Sequence, residues 1–409
     1  MKTTPFDSLA VWCLTDSARP QLVGEVRLVA QGRSLAFAYA PSWLANGFAL
    51  SGDMPLQAGV IVPRERELGF GAISDAMPDR WGEKAIRFLE RPKRALPLDF
   101  LYFAGDRRFG ALGFSIDSDS YQPHDNGPLP QLASIDALFD LIFRIEHNDA
   151  LSGPEKLLVG SSKTMGGAHP KALVQQNGQE CIVKFPRGGN VDGGLIEHAT
   201  LRLAAGAGIR CAASSAVPTL AGHVVLIERF DRAANQRLHC LSARSVLLCG
   251  ADPHFPPLGE LSYPAMADFI RQFSSPETQS EDRKELFRRM VFNILIENTD
   301  DHEKNHAFIA DGGYWRLSPA YDILPLMANA GQHEMGIGRD GAQGTLENAL
   351  SQCQRFDLEP DAARQEWRRV AHCVAQWKSF FAGLGVAGSD IDYLADFIDS
   401  EERLQMRGQ

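Results

Sequence analysis

None of the seven cysteines, Cys13, Cys181, Cys211, Cys240, Cys249, Cys353 and Cys373, forms a C-x-x-C pair with another, and their number is odd. That spacing excludes a zinc ribbon or a dithiol redox motif and argues against a disulfide framework, so a reducing compartment is expected. Positive charge is also in deficit: the formal net charge is -10. A global basic field for nucleic acid is therefore excluded, although a local basic patch or a basic partner is compatible with the composition. No window approaches the ~18 unbroken apolar residues of a membrane-spanning helix. The opening MKTTPFDSLAVWCL carries one lysine, an early aspartate and too short an apolar run for a signal peptide, so a cytoplasmic location without membrane association is expected. Internal repeats and low-complexity tracts are absent, which removes solenoids and disordered linkers.

What remains is an ordinary globular composition, with 44 % hydrophobic and 22 % charged residues over 409 positions. That length predicts two or three packed units. From Ser8 to Ile61, short apolar runs (LAVWCL, GEVRLVA, LAFAYA, GVIVP) broken by Gly and Pro read as strands and turns. DAMPDRWGEKAIRFLE reads as a helix, with Asp75 or Asp79 as its cap and Trp81, Ala85, Ile86 and Leu89 on one face. Pro, Gly, Asn and Asp crowd Tyr121 to Pro130, where we place a domain boundary. SIDALFDLIFRIEHN then predicts a helix, KALVQQ and ECIVKFP a hairpin around Asn177 and Gly178, IEHATLRLAAGAG a helix, and SAVPTL and HVVLIERF two further strands. Beyond Asp231, long helical patterns dominate: SYPAMADFIRQF, DRKELFRRMVFNILIEN and EPDAARQEWRRVAHCVAQWKSFFAGLG.

The stretch NTDDHEKNHAFI, residues 298–309, supports two chemistries. H-E-K-N-H matches the H-E-x-x-H zinc-protease pattern, which needs both histidines one turn apart on a stable helix. Asp300 with Glu303 could open such a helix as a capping box, but Asp311-Gly312-Gly313 would end it after two turns. Ala307 to Ala310 followed by D-G-G and Tyr314 to Leu317 reads better as a hairpin. The alternative is phosphoryl transfer, which needs a carboxylate for the accepting hydroxyl and oxygen ligands for Mg²⁺. Asp300 supplies the base, Asn305 and Asp322 of PAYDILP the metal ligands, and Lys304 a charge for the moving phosphoryl group. Singly, each of these residues is most simply a cap or turn residue; it is their order and spacing that carry the signal.

A kinase reading requires nucleotide-binding residues upstream. Gly160 to Lys171, GSSKTMGGAHPK, supplies small residues whose backbone N–H groups can approach phosphate. It is neither a Walker A motif nor G-x-G-x-x-G, and by itself such a stretch is more often a turn. Lys184, amid the apolar strand ECIVKFP, strengthens the reading. A partly buried ammonium needs an ATP phosphate or a carboxylate such as Glu197 as its partner, unless its head snorkels to the surface. LIERFDR, residues 226–232, would follow as the connector against which an adenine lies.

Together these motifs resemble the HipA family of bacterial serine/threonine kinases, the toxin halves of HipA–HipB toxin–antitoxin pairs. SGDMPL, DAMPDRWGEKAI and GDRRFGALGF carry the likeness in the N-terminal region, GGAHPKALV, IVKFP and IERFDR in the middle, and NTDDHEKNHAFI with LSPAYDILP in the last part. NTDxHxKN followed by YDI is the most specific. The resemblance implies an α+β, protein-kinase-like bilobal fold with an extra β-rich N-terminal domain and a mainly helical C-terminal lobe, together with ATP and Mg²⁺. Its expected divisions are 1–120 (accessory domain), 131–235 (nucleotide-binding lobe) and 236–409 (helical lobe). By position it implies Gly166, Gly167, Ala168, His169, Pro170 and Lys171 as the phosphate loop, Lys184 as the ATP lysine, and Glu228, Arg229 and Phe230 as the connector. Asp300 becomes the proton acceptor, His302, Glu303, Lys304 and Asn305 contact nucleotide or metal, and Tyr321 with Asp322 completes the metal site. Family members autophosphorylate a serine just before the loop; the matching position here is Thr164, with Ser161 and Ser162 beside it.

The implied partners are a HipB-type helix-turn-helix antitoxin, DNA through that antitoxin, and a protein substrate of the aminoacyl-tRNA synthetase class. The stretch RLHCLSARSVLLCG departs from the Gln-rich helix of the best-known members, which bears on the target. A small-molecule kinase and a non-catalytic co-repressor subunit binding a HipB-type antitoxin are the alternatives.

Overall fold

The computed structural model describes residues 6–32, 34–64, 69–164, 166–167, 169–186, 191–233, 236–254, 257–325 and 332–409. Its backbone divides into two compact units. The first comprises residues 1–187, 228–241 and 248–257, and the second residues 188–227, 242–247 and 258–409.

In the first unit the apolar runs near the N-terminus form β1 (Ser8–Cys13), β2 (Gln21–Val29) and β3 (Ser34–Tyr39). With β4 (Leu112–Ser115) they make an antiparallel sheet in the order β3-β2-β1-β4. Val11, Val26, Phe37 and Phe114 are fully buried, so this sheet has a true core. GVIVP, expected as a strand, is not one. Only Ile61 bridges, to Phe37, while Val60 and Val62 are each 61 % exposed. Gly59 at φ +102 and Pro63 bracket the run, and neither continues a ladder.

The helical pattern that follows splits into α1 (Gly71–Ala76) and α2 (Arg80–Leu89), joined by an extended Met77-Pro78-Asp79. Trp81, Ala85, Ile86 and Leu89 are buried as one stripe of α2. Ile86 meets Phe100 and Phe103 of α3 (Pro97–Phe103). Asp79 is at the N-cap position of α2 but makes no capping bond; its carboxylate is used elsewhere. After α4 (Ile135–Glu146) and α5 (Gly153–Leu158) comes a hairpin of β5 (Lys171–Gln176) and β6 (Gln179–Lys184). Its two turn residues, Asn177 at φ 51 and Gly178 at φ 81, both adopt the left-handed conformation that a two-residue hairpin loop demands.

The second unit opens with α6 (Gly193–Gly206), capped by Asp192, and the hairpin β7 (Ser214–Thr219)–β8 (Gly222–Glu228). A short α7 (Ala243–Leu248) occupies RLHCLSARSVLLCG. Next come α8 (Tyr263–Phe273) and α9 (Gln279–Leu295). Every residue of α9 from Glu285 to Leu295 is buried, including polar ones. Their charges are matched internally: Arg289 pairs with Glu285 at 3.1 Å, and Arg210 and Arg316 converge on Asp282 at 2.7 and 3.0 Å. Such pairs are tolerated in a core because each charge keeps a partner.

Residues 307–317 form the hairpin of β9 (Ala307–Asp311) and β10 (Tyr314–Leu317), turning at Gly312 and Gly313, φ 56 and 87. The long pattern starting at Glu359 is not one helix. It breaks after Val374 into α11 (Pro360–Val374) and α12 (Trp377–Gly383), which lets Trp377 and Phe381 bury themselves in a new direction. The chain ends in α13 (Gly388–Ile398) and α14 (Glu401–Arg407), where the Met406 carbonyl accepts from the indole of Trp367 at 3.1 Å. Among the described residues no helix is long and apolar enough to cross a membrane.

Candidate active site

The first unit builds a basic, glycine-lined corner. In the ladder of β5 and β6, Lys171 stands directly opposite Lys184. Like charges facing each other across a sheet are unfavourable unless each ammonium has a partner of its own. Immediately before Lys171 the chain turns through Gly166 and Gly167, the latter at φ +90, where an L side chain is strained. His169 is exposed, and Pro170, buried, receives the Phe185 N–H at 3.0 Å, which ties the loop's end to the strand end that carries Lys184. Ala168 lies outside the described residues.

Sequence reasoning missed what holds this loop. The Gly167 N–H donates to the carboxylate of Asp79, and the Gly167 carbonyl accepts from the Trp81 N–H at 3.1 Å. The indole N–H of Trp81 reaches the Lys171 carbonyl at 2.8 Å. A Cβ at position 166 would sit 2.8 Å from the Asp79 carboxylate oxygen, so that carboxylate would have to shift to admit a side chain. One turn of α2 thus brackets the loop at both ends. The contact spans about 90 positions of chain, so no local pattern could reveal it; only the close pairing of P-D-x-W with a glycine doublet hints at it.

Upstream of the loop, Gly160–Thr164 forms a tight turn in which Ser161, Ser162 and Thr164 are all buried. Their hydroxyls donate to the carbonyls of Leu173 (2.9 Å), Val159 (2.7 Å) and Ser161 (3.1 Å) respectively. Lys163 beside them is 3 % exposed and pairs with Glu90, which His124 also approaches. Burial alone would raise the Glu90 pKa, but the hydrogen bond from His124 and the charge of Lys163 bring it down to about 2. Burial depresses the Lys163 pKa.

At the connector, Glu228 is exposed and Phe230 is half-buried, edge-on to Phe109. Arg229 is committed internally. Its guanidinium donates to both oxygens of Asp231 (2.9 and 2.6 Å) and to the carbonyls of Arg107 and Arg108 (each 2.7 Å). Its own N–H goes to the Glu180 carbonyl at 3.2 Å. Its side chain is therefore a strut rather than a ligand contact. Burial pushes the Asp231 pKa up, yet Arg229 and Arg232 hold it down at about 2.

The second unit carries the 298–306 loop. Two consecutive acids part company here: Asp300 is exposed and Asp301 is 3 % exposed. Residues Glu303–Asn305 form a single tight turn, entered from His302, whose Nδ1 accepts from the Lys304 N–H at 3.3 Å. Glu303 pairs with Arg244 at 2.8 Å, and Lys304 is exposed. Asn305 is buried, with its amide 3.5 Å from the Asp300 carbonyl. The zinc-protease pattern fails on this geometry. No helix carries the two histidines, and His306 is buried against Asp301 at 2.9 Å while His302 caps the turn. The Asp300–Glu303 capping box that the zinc-protease reading would need is likewise absent, since His302 holds the cap position. Among the described residues no group of three His, Cys, Asp or Glu could hold a metal.

The Tyr321 hydroxyl donates to the Lys304 carbonyl at 2.8 Å, which brings Tyr321-Asp322 beside the turn that holds Asn305. Asp322 adopts φ 58, a left-handed backbone that Asp and Asn take up more readily than other side-chain-bearing residues. An amide oxygen and a carboxylate, the donor types of Asn305 and Asp322, are those that suit a hard oxygen-seeking cation such as Mg²⁺ rather than Zn²⁺.

The sequence matches the model of the HipA N-terminal domain over residues 17–115 and that of the HipA-like C-terminal domain over residues 163–377, more than half of the chain. The chain belongs to the HipA family. A relative from Sinorhizobium fredii (strain NBRC 101917 / NGR234), named putative kinase Y4mE, is 24 % identical over 407 residues, covering 90 % of this chain and 93 % of that protein. HipA of Shewanella oneidensis MR-1, solved in a complex with HipB and its operator DNA, superposes with a TM-score of 0.69 at 18 % identity, over 98 % of this chain and 96 % of its own. The fold is thus the α+β, kinase-like HipA fold that the motifs implied.

Proposed function

We propose that this HipA-family chain is an ATP- and Mg²⁺-dependent serine/threonine protein kinase. The observation that carries the reading is the Tyr321–Lys304 hydrogen bond, which joins the two most specific motifs, NTDxHxKN and YDI, into one structure in the second unit. Asp300 is the exposed carboxylate of that structure, and in this reading it takes the proton of the acceptor hydroxyl as the new O–P bond forms and the bond to ADP breaks. Asn305 and Asp322 would hold Mg²⁺, which when bound neutralises charge on the phosphate oxygens. Lys171 and Lys184, with the backbone of Gly166 and Gly167, would take the triphosphate.

Autophosphorylation is assigned to the 161–164 segment, with Thr164 first. All three hydroxyls are internal, so transfer requires this turn to open, and a phosphate there, carrying about -1.5 to -2 charges, could not return to the buried site. In partners, the Shewanella complex supports a HipB-type antitoxin through which DNA is reached, while a protein target of the aminoacyl-tRNA synthetase class rests on the motif resemblance alone. The test is incubation of the purified chain with Mg·[γ-³²P]ATP and mapping of the labelled peptide. Label at Thr164, Ser161 or Ser162 that disappears in Lys184→Met is expected. No transfer to itself or to any protein acceptor would overturn the assignment.

A further inference from the structure

The doublet Asp300-Asp301 sends one carboxylate outward and the other into the core, and the inner one has no role in the reaction as proposed. Asp301 accepts from the hydroxyl of Tyr263 on α8, and its Oδ2 lies 2.9 Å from Nε2 of His306. The Tyr263 oxygen in turn accepts from Asn293 of α9 at 2.8 Å, and Asn293 accepts from the Asn298 amide at 3.0 Å. The ring of Tyr263 packs edge-on against that of His306, centroids 5.3 Å apart. Asn293, Asn298, Tyr263, Asp301 and His306 are each buried, none more than 3 % exposed. The remaining ring nitrogen of His306 has no hydrogen-bond partner among the described residues, so Asp301 supplies the ring's only polar tether.

This chain of bonds starts at Asn298, ends at His306 and passes through Asp301, so it fixes the loop at its beginning, middle and end. The backbone adds two ties: Glu334 N–H to the Thr299 carbonyl at 3.1 Å and Ala243 N–H to the His306 carbonyl at 2.8 Å. Asp300 and Asn305 lie between these fixed points, and each is the immediate neighbour of a tethered residue. A carboxylate that must meet a hydroxyl within hydrogen-bond reach depends on such a mount, since a displacement of about 1 Å can lower a rate on the order of 100-fold.

We propose that Asp301 is a positioning residue: acting through Tyr263 and His306, it holds the 298–306 loop so that Asp300 and Asn305 stand where phosphoryl transfer needs them. The inference rests on the kinase reading, and its test separates the two. Four forms are compared: wild type, Asp301→Ala, Asp301→Asn, which retains an acceptor oxygen for Tyr263, and Tyr263→Phe, which tests the same tether if Asp301→Ala does not fold. For each, kcat of autophosphorylation and the Kd of ATP by calorimetry are measured well below the melting temperature.

The expected result is a fall in kcat of about 10- to 100-fold for Asp301→Ala with an unchanged ATP Kd, a smaller fall for Tyr263→Phe, and substantial recovery in Asp301→Asn. In a double-mutant cycle, Asp300→Asn/Asp301→Ala should lose less than the two single changes combined, because part of the effect of Asp301 is exerted through Asp300. Wild-type kcat in Asp301→Ala, or in Tyr263→Phe where Asp301→Ala does not fold, overturns the proposal. So do kcat and ATP affinity falling in step, or additive losses in the cycle, because these describe general loosening of the unit. Should the wild type transfer no phosphate, or Asp300→Asn match its rate, the kinase reading itself fails and takes this inference with it.

Discussion

Arg229 offers the clearest separation of a structural residue from a ligand contact at the connector. Replacing it with Gln deletes two bonds to Asp231 and two to the carbonyls of Arg107 and Arg108 in a site where the arginine is 6 % exposed. Asp231, 3 % exposed, keeps Arg232 at 2.9 Å and the Gly110 N–H at 2.8 Å but loses its two-pronged partner. Breaking a buried pair from one side costs about 3–5 kcal/mol. A unit of this size loses about 2–4 °C in melting temperature per kcal/mol, so the expected drop is roughly 10 °C. Differential scanning fluorimetry reads it directly. Removing both partners, as Arg229→Gln/Asp231→Asn, should cost less than the two single changes added together, since neither member of the pair is left behind as a lone charge and Arg232 keeps Glu180 at 3.5 Å. A change below about 2 °C, accompanied by lost ATP binding, would refute the argument and make Arg229 a nucleotide contact.

Two other outcomes follow from the same geometry. The folded Glu90 pKa of about 2 lies below its ordinary 4.5, so its contribution is complete above pH 4.5 and disappears as pH falls through 2. At most about 3 kcal/mol is involved, the site being partly solvated. Glu90→Gln should flatten this part of the acid limb in urea midpoints measured between pH 6 and pH 3, and an unaltered pH dependence would exclude the Lys163–Glu90–His124 cluster as its source. Trp81→Phe removes the donor to the Lys171 carbonyl, leaving a local loss of about 1–2 kcal/mol. Hydrogen exchange of the peptide spanning residues 164–171 should accelerate roughly tenfold, and unchanged exchange would mean that the clasp does not hold the loop.

Much of this was legible in sequence because the signals are local. Asn177-Gly178 specified its hairpin turn, Gly312-Gly313 ended the segment that H-E-x-x-H would have made a helix, and the stripe of Trp81, Ala85, Ile86 and Leu89 gave α2 its buried face. Order and spacing made Asp300, Asn305 and Asp322 the candidates for the proposed site. What stayed hidden depends on contacts distant in sequence. Nothing in D-D says which carboxylate turns inward; Tyr263 and His306 decide that. Asp79 looked like a helix cap, and its carboxylate instead serves a loop 88 residues away. GVIVP had strand composition but pairs with β3 only through Ile61, and α11 breaks from α12 where burial of Trp377 outweighs a helical pattern that runs on. Arg229 is invisible as a strut until the backbone carbonyls of residues 107 and 108 arrive to meet it.

The central claim is that Asp300 accepts the proton in a phosphoryl transfer from bound ATP, and its most direct test is one pair of measurements on Asp300→Asn. ATP affinity should match the wild type, because the lysines and the glycine loop are untouched, while transfer of the γ-phosphate should fall by about 100-fold or more. Transfer at the wild-type rate by Asp300→Asn, with ATP bound equally well, would contradict it.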